Sequence, residues 1–213
     1  MSDQPLNFFT IGDWGKASIN QAAVSHAMSA AAVVAPSIPD FVLALGDNFY
    51  QWGVSDADDK QFNTTFEARF KDPNIRPEWY VILGNHDYRQ TASPAAQREY
   101  SATHPDSKFI LPDLQYIKYM DLCSNKNVNR DEYTGTCPDG LAAFVFIDTP
   151  HLAPEDTCCL VKETLTSLYG GWAGVEVATA EAYDWIETTL ESIDNDDAIK
   201  WLFVNGHYVS ARA

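Results

Sequence analysis

Four short stretches of this chain finish in the same way: "FFTIGDWG", "FVLALGDNFY", "YVILGNHDY" and "LFVNGHY". Each is an apolar run closed by glycine and then, at once or within two residues, by a side chain able to hold a metal ion. The set is Asp13, Asp47, Asn85, His86 and His207, with Tyr50 three residues beyond Asp47. Carboxylate, amide oxygen, imidazole and phenolate form a mixed oxygen and nitrogen donor set, suited to iron, zinc or manganese rather than to metals held by thiolates. A carboxylate shared by two ions about 3.5–4 Å apart lets both oxygens of an in-line phosphoryl displacement be stabilised, and such ions activate water near neutral pH or below. They would also bring positive charge to a chain that has 30 acidic and 14 basic residues and a formal charge of −16.

Taken singly, these residues are ordinary. Asp or Asn after Gly at a strand end is usually a turn former or a helix cap, and a lone loop histidine is usually solvated. The joint pattern carries the argument, because four separate strand ends would each have to bear such a residue by accident. In α/β sheets ligands sit beyond the carboxyl ends of the strands, where residues distant in sequence meet, and glycine permits the sharp turn and close approach needed there.

The elements that would position these ends follow from hydrophobic periodicity. Strands are read at 7–11, 41–45, 80–83, 142–147 and 201–204. A helix is read at 17–35, with Ile19, Ala23, Ala27, Ala30 and Val34 near helical spacing and Pro36 and Pro39 ending it. Further helices are read at 60–70, 95–101 and 179–192, while 119–141, rich in Asn, Asp and Gly, reads as a surface excursion. Alternating strands and helices predict a layered α/β fold.

At 213 residues the chain suits one domain with a sizeable core. Hydrophobic residues make up 46% and charged residues 21%, as in ordinary globular proteins. No apolar run approaches the roughly 20 residues of a membrane span. The amino terminus, Met1-Ser2-Asp3-Gln4-Pro5, has neither a basic segment nor an apolar signal core. The acidic balance disfavours nucleic acid and anionic membranes as partners. All four cysteines lie between Cys123 and Cys159 without zinc-ribbon spacing; pairing of Cys158 and Cys159 with Cys123 and Cys137, or free thiols, both fit. Asn63-Thr64-Thr65 is a glycosylation sequon, relevant only to a secreted protein.

In this order and on strand ends, "GDWG", "GDNFY", "GNHDY" and "GHY" resemble the motifs of the purple acid phosphatases, especially the small tartrate-resistant type, within the calcineurin-like metallophosphoesterase superfamily. The likeness runs over 7–208 and includes "WGVSD" and "FVFIDT". Elsewhere in the superfamily the first motif is Asp-x-His. Here Gly15 stands in place of that histidine and Tyr50 takes its part, which favours the purple acid branch over phosphodiesterases and protein phosphatases.

The resemblance implies an αββα sandwich of two mixed β-sheets flanked by helices, in one domain over 1–213 that is incomplete at its carboxyl end. It implies a dinuclear centre of Fe(III) with Fe(II), Zn or Mn. Asp13 and Tyr50 would hold the ferric ion, Asp47 would bridge, and Asn85 and His207 would hold the divalent ion. His86 would hydrogen-bond the phosphate, and Asp87 would orient its neighbours. The implied reaction is hydrolysis of a small-molecule or protein phosphate monoester at acidic pH without a covalent enzyme intermediate. Secretion or a lysosomal site is also implied, although the written amino terminus shows no signal segment. One more motif, Gly-His-x-His, belongs after "GHY", yet His207 is the last histidine here. The reading is therefore of a chain cut short, with impaired catalysis; the rival is a non-catalytic scaffold that binds metal, phosphate or another protein.

The remaining polar and aromatic residues read more plainly. Trp14, Trp52 and Tyr88 suit the core better than the mouth of a site, Lys16 and Arg89 suit solvent better than an anion, and Tyr208 carries no role. His26 reads as structural, and His104 and His151 as loop residues rather than ligands.

Overall fold

The computed structural model describes residues 5–34, 38–154 and 157–208. Runs without alternation, such as "FVLAL" and "LAAFVF", predict strands covered on both faces. In the structure Val42, Ala44, Ala142 and Val145 are indeed sealed from solvent. The first sheet takes β1 (Phe8–Ile11), β2 (Phe41–Leu45), β3 (Glu78–Ile82) and β4 (Phe109–Ile110) in the order β1-β2-β3-β4. All its pairings are parallel, with Phe8 beside Phe41 and Phe41 beside Glu78. The second sheet contains β5 (Tyr116–Asp121), β6 (Lys126–Val128), β7 (Leu141–Phe146) and β8 (Ile199–Asn205) in the order β6-β5-β7-β8. Here β5 runs antiparallel to β6 and β7, and β8 runs parallel to β7.

The two sheets are glued by rings. Phe41 contacts Phe8 at 5.0 Å and Phe144 at 5.1 Å, and Phe144 stacks on Phe203 at 4.6 Å. These are spacings at which aromatic pairs add to plain area burial. On the outer side of the first sheet Trp14, Phe66, Phe70 and Trp79 form a second aromatic cluster. Helices α1 (Ile19–Val34) and α2 (Ser93–Thr103) follow β1 and β3. Helices α3 (Thr149–Leu152), α4 (Cys159–Leu168) and α5 (Trp172–Asp194) follow β7, and Trp185 and Ile193 of α5 cover Ala143 and Val145 on the second sheet's outer face. The αββα arrangement is thus as expected, with the mixture of strand directions confined to the second sheet. No helix among the described residues is long and apolar enough to cross a membrane.

Three local readings need correction. Helix α1 forms, but its apolar stripe faces outward: Ile19 is 85% and Val34 86% exposed. The buried face carries Gln21, Ser25 and Ala32. Gln21 Nε2 donates to the carbonyls of Trp14 (2.8 Å) and Thr65 (2.9 Å), and Ser25 Oγ donates to that of Arg69 (2.8 Å). Backbone carbonyls left open by the loops decide which face turns in. The stretch 119–141 is not wholly irregular, since it completes β5 and forms β6; its polar composition reflects an edge hairpin with one solvated face. Cysteine pairing is local: Cys123 bonds Cys137, and Cys158 and Cys159 are free and exposed. The helix read at 60–70 shortens to a wider, π-helical turn over Phe62–Glu67, and that read at 179–192 extends into α5.

Replacing Gln21 by Leu is expected to cost about 2 kcal/mol in urea unfolding, since two buried carbonyls lose their donor. Ala27→Gln, on the exposed apolar face, should change stability by less than about 0.5 kcal/mol.

Candidate functional site

The turns after β1 and β2 are zipped together by their backbones. Asp13 N–H donates to Gly46 O (3.1 Å), Gly15 N–H to Asp47 O (3.0 Å) and Tyr50 N–H to Gly15 O (2.9 Å). Glycine is required where they touch: a Cβ on Gly15 would lie 2.2 Å from the carbonyl carbon of Asn48. Gly84, after β3, is equally constrained, since a Cβ there would sit 2.3 Å from Asp47 Oδ1. Asp13 (φ 55°) and Asp47 (φ 54°) both occupy the left-handed region, an uncommon conformation for non-glycine residues that clusters at functional sites.

Asp47 is the hub. Its Oδ2 accepts from the Tyr50 phenol (2.6 Å), which also reaches Asp13 Oδ1 (2.8 Å). Its Oδ1 accepts from the His86 backbone N–H (2.9 Å) and lies 3.5 Å from His207 Nε2. His207 Nε2 in turn lies 3.2 Å from Asn85 Oδ1. The two oxygens of Asp47 therefore face two groups, Asp13 with Tyr50 and Asn85 with His207. One donor atom each from Asp13, Asp47 and His207 fall within 4.8 Å of one another. Asp13 stands at the exposed mouth, while Asp47 forms the buried floor.

Both histidines have their ring protons assigned by neighbouring carbonyls, which can only accept. His207 Nδ1 lies 2.8 Å from Leu45 O, so Nδ1 carries the proton and Nε2 presents its lone pair to the pocket, the tautomer a metal ligand needs. His86 Nδ1 lies 3.0 Å from Gln51 O, which turns Nε2 toward Asp47 Oδ2 at 4.0 Å. The Tyr50 ring packs against His86 with centroids 4.4 Å apart. Burial pushes the Tyr50 phenol well above its ordinary pKa, and its hydrogen bonds to the Asp47 and Asp13 carboxylates push it further. An all-oxygen corner of this kind, with a phenol between two carboxylates, fits a hard, highly charged cation, and the Asn85 and His207 side fits a borderline divalent one.

Asp87 does not enter the pocket. Fully buried, it accepts from the backbone N–H groups of Asn48 (3.0 Å), Phe49 (3.2 Å) and Gly84 (2.9 Å) and from Gln97 Nε2 (3.0 Å). It thereby ties the Asp47 turn, the Asn85 turn and α2 together. Burial raises its pKa to about 6 against the opposing hydrogen bonds from Gly84 and Asn48.

The structure also brings in residues that the sequence did not single out. Thr149 Oγ1 accepts from the N–H groups of His207 (3.1 Å) and Tyr208 (2.9 Å) and so holds the last turn. Beside it, Asp148 is buried and receives the Tyr88 hydroxyl. Burial lifts Asp148 to about 7, with the Tyr88 hydrogen bond opposing and the charge of Asp87 reinforcing. The signal was present in "FVFIDT", a fifth strand end closing on an acid and a hydroxyl, but it lacks the glycine of the other four. Asn48 and Gln97 carried no signal, since buried amides are recognised only by their partners.

The other residues divide. Trp14 and Tyr88 belong to the core, whereas Trp52 is exposed. His26 is exposed rather than structural. His104 caps α2, and His151 is buried against Tyr169; neither touches the pocket. Burial raises the Tyr208 phenol, as do the charges of Asp47 and Cys158, with Arg89 opposing.

Two sheets flanked by helices, with carboxylate, amide, imidazole and phenol groups gathered at their strand ends, define a metallophosphoesterase architecture. Residues 6–212 match the calcineurin-like phosphoesterase family, and the chain belongs to that family. It is 43% identical over 90 residues to purple acid phosphatase 7 of Arabidopsis thaliana, covering 41% of this chain and 26% of the relative. It is also 43% identical over 101 residues to tartrate-resistant acid phosphatase type 5 of Sus scrofa, covering 45% and 29%. Among solved structures, a Plasmodium protein described as "GAP50 the anchor in the inner membrane complex of Plasmodium" superposes with a TM-score of 0.66 at 20% identity, covering 94% of this chain and 54% of that one. That last likeness concerns the fold. The matched stretches span about a quarter to a half of these proteins' lengths.

Gly84→Ala should displace Asp47 and weaken metal binding by at least about tenfold in titration calorimetry, the loss typical when a ligand's support is disturbed. The raised carboxyl of Asp148 is bound by a proton in the folded chain at pH values where the unfolded chain has lost it. Its contribution to stability is therefore present below the ordinary pKa of 3.8 and is lost as pH rises to about 7. Melting temperatures between pH 4 and 7 should fall less steeply in Asp148→Asn than in the native chain, the slope from this one group being at most about 1.4 kcal/mol per pH unit.

Proposed function

We propose that this chain is a phosphate monoesterase with a dinuclear metal centre, in which Asp13 and Tyr50 hold a ferric ion, Asn85 and His207 a divalent iron, zinc or manganese, and Asp47 bridges. The observation that carries this reading is the two-sided contact of Asp47, Oδ2 toward Tyr50 and Oδ1 toward His207. When bound, the metal pair supplies positive charge and an activated water for in-line displacement at phosphorus.

The chain's own residues do the rest. Asp13 and Tyr50 shape the mouth of the pocket, and Asp47, held by the His86 N–H, keeps its two oxygens turned to the two halves. His86, anchored through Nδ1–H by the Gln51 carbonyl, directs Nε2 inward, where the ring in its imidazolium form, protonated on both nitrogens, would donate to a phosphate oxygen and stabilise charge gained in the transition state. Asp87 and Thr149 hold the ligand-bearing turns without entering the chemistry. The substrate class is a small-molecule or protein phosphate monoester; the charge of −16 argues against nucleic acid and anionic membrane as partners. The Cys123–Cys137 disulfide supports an oxidising compartment.

Loading with Fe(III) and Zn(II), followed by metal analysis and p-nitrophenyl phosphate hydrolysis at acid pH, tests the proposal. Expected are two bound ions, measurable turnover that falls by at least about 10²-fold in Asp47→Ala, and a visible absorption band from the ferric phenolate that disappears in Tyr50→Phe. No more than one ion, without hydrolysis, would instead establish the non-catalytic scaffold.

A further inference from the structure

Arg89 shares with Arg69 a buried Nε without a hydrogen-bond partner, but of the two it is Arg89 that stands in a pocket-forming turn. Among the described residues no carboxylate lies within ion-pair distance of it, whereas Arg76, Arg98 and Arg130 each have one. Its Nε is buried and has no hydrogen-bond partner. The guanidinium sits over the Trp52 ring at 6.0 Å from the centroid, and Trp52 is 53% exposed. Its backbone belongs to the pocket-forming turn, since Arg89 N–H donates to His86 O (3.2 Å) within the turn that carries Asn85 and His86. Trp52 lies two residues beyond Tyr50, and Tyr208, 41% exposed, adjoins His207. The turns bearing Tyr50 and His86 thus contribute a cation–aromatic pair, Arg89 over Trp52, and the turn bearing His207 carries the exposed Tyr208 ring against that histidine. A buried donor without a partner is costly, and a guanidinium fork matches phosphate in two-point hydrogen bonding.

We propose that Arg89, backed by Trp52 and Tyr208, forms a second anion subsite beside the metal pocket and selects phosphate compounds whose leaving group is itself anionic. This rests on the phosphatase reading above and deepens it. Inorganic pyrophosphate is the smallest such compound: one phosphoryl group occupies the pocket and the other meets Arg89. Orthophosphate fills the pocket alone.

The test is titration calorimetry of inorganic pyrophosphate and of orthophosphate into the zinc-loaded chain. The native chain should bind pyrophosphate about tenfold or more tightly than orthophosphate, the range of a charge-assisted two-point contact. Arg89→Gln should erase that preference while leaving orthophosphate affinity within about threefold. Arg89→Lys should recover only part of it, because an ammonium lacks the planar fork; it also serves as the reading if Arg89→Gln fails to fold. Equal affinity of the native chain for both anions, binding of neither, or equal weakening of both in Arg89→Gln overturns the subsite. Metal content, measured on the same samples, judges the dinuclear centre separately.

Discussion

One buried carboxylate holds the site together. Asp87 contributes no atom to the pocket, yet the turn bearing Asp47 and the turn bearing Asn85 and His86 both donate backbone N–H groups to it, and Gln97 of α2 donates its side-chain amide. Those backbone donors have no alternative partner once buried, so each would cost free energy if the carboxylate were lost. Asn48 extends the tie by donating to Ile82 O and to Gln97 Oε1. Two loops separated by nearly forty residues therefore move as one piece, and the pocket inherits their rigidity.

That rigidity is needed because the pocket is built from strained and self-repelling parts. Asp13 and Asp47 hold left-handed backbone conformations, and their carboxylates converge on one phenol. Such arrangements persist only where the surroundings over-determine them. Here the surroundings are a parallel sheet packed on both faces by aromatic rings, and glycines at positions 15 and 84 that let the turns approach more closely than any side chain would permit. The same constraint explains why positive charge is expected from metal ions: the fold brings acids together and supplies almost no cation to offset them. Arg89 is a cation in the turn that carries Asn85 and His86, and having no carboxylate partner among the described residues makes chemical sense if the partner is a substrate.

Comparison of α1 with the strand ends shows where reading the sequence succeeds. The strand ends were legible because their signal is local: an apolar run, a glycine and a ligand type occupy consecutive positions, and a parallel sheet must carry such ends to one edge. Helix α1 was legible as a helix but not in its orientation. Its alanines and valines promised a buried face, yet Gln21 and Ser25 turn inward because carbonyls of Trp14, Thr65 and Arg69 require donors there. Those carbonyls belong to loops, and no pattern within α1 announces them. The Cys123–Cys137 bond was equally out of reach, since it depends on the β5–β6 hairpin bringing the two sulfurs together.

By itself the sequence determined the layered α/β class, the order of the strand ends and the identity of the ligand-type side chains, because these are properties of neighbouring residues and their spacing. Only the tertiary structure decided which oxygen of Asp47 faces Tyr50 and which faces His207, which nitrogen of each histidine is turned to the pocket, and that Thr149, Gln97 and Arg89 belong to the site's surroundings. Those facts depend on hydrogen bonds between segments up to 162 residues apart, such as that from His207 to Leu45 O, whose partners are chosen by the packing of whole sheets.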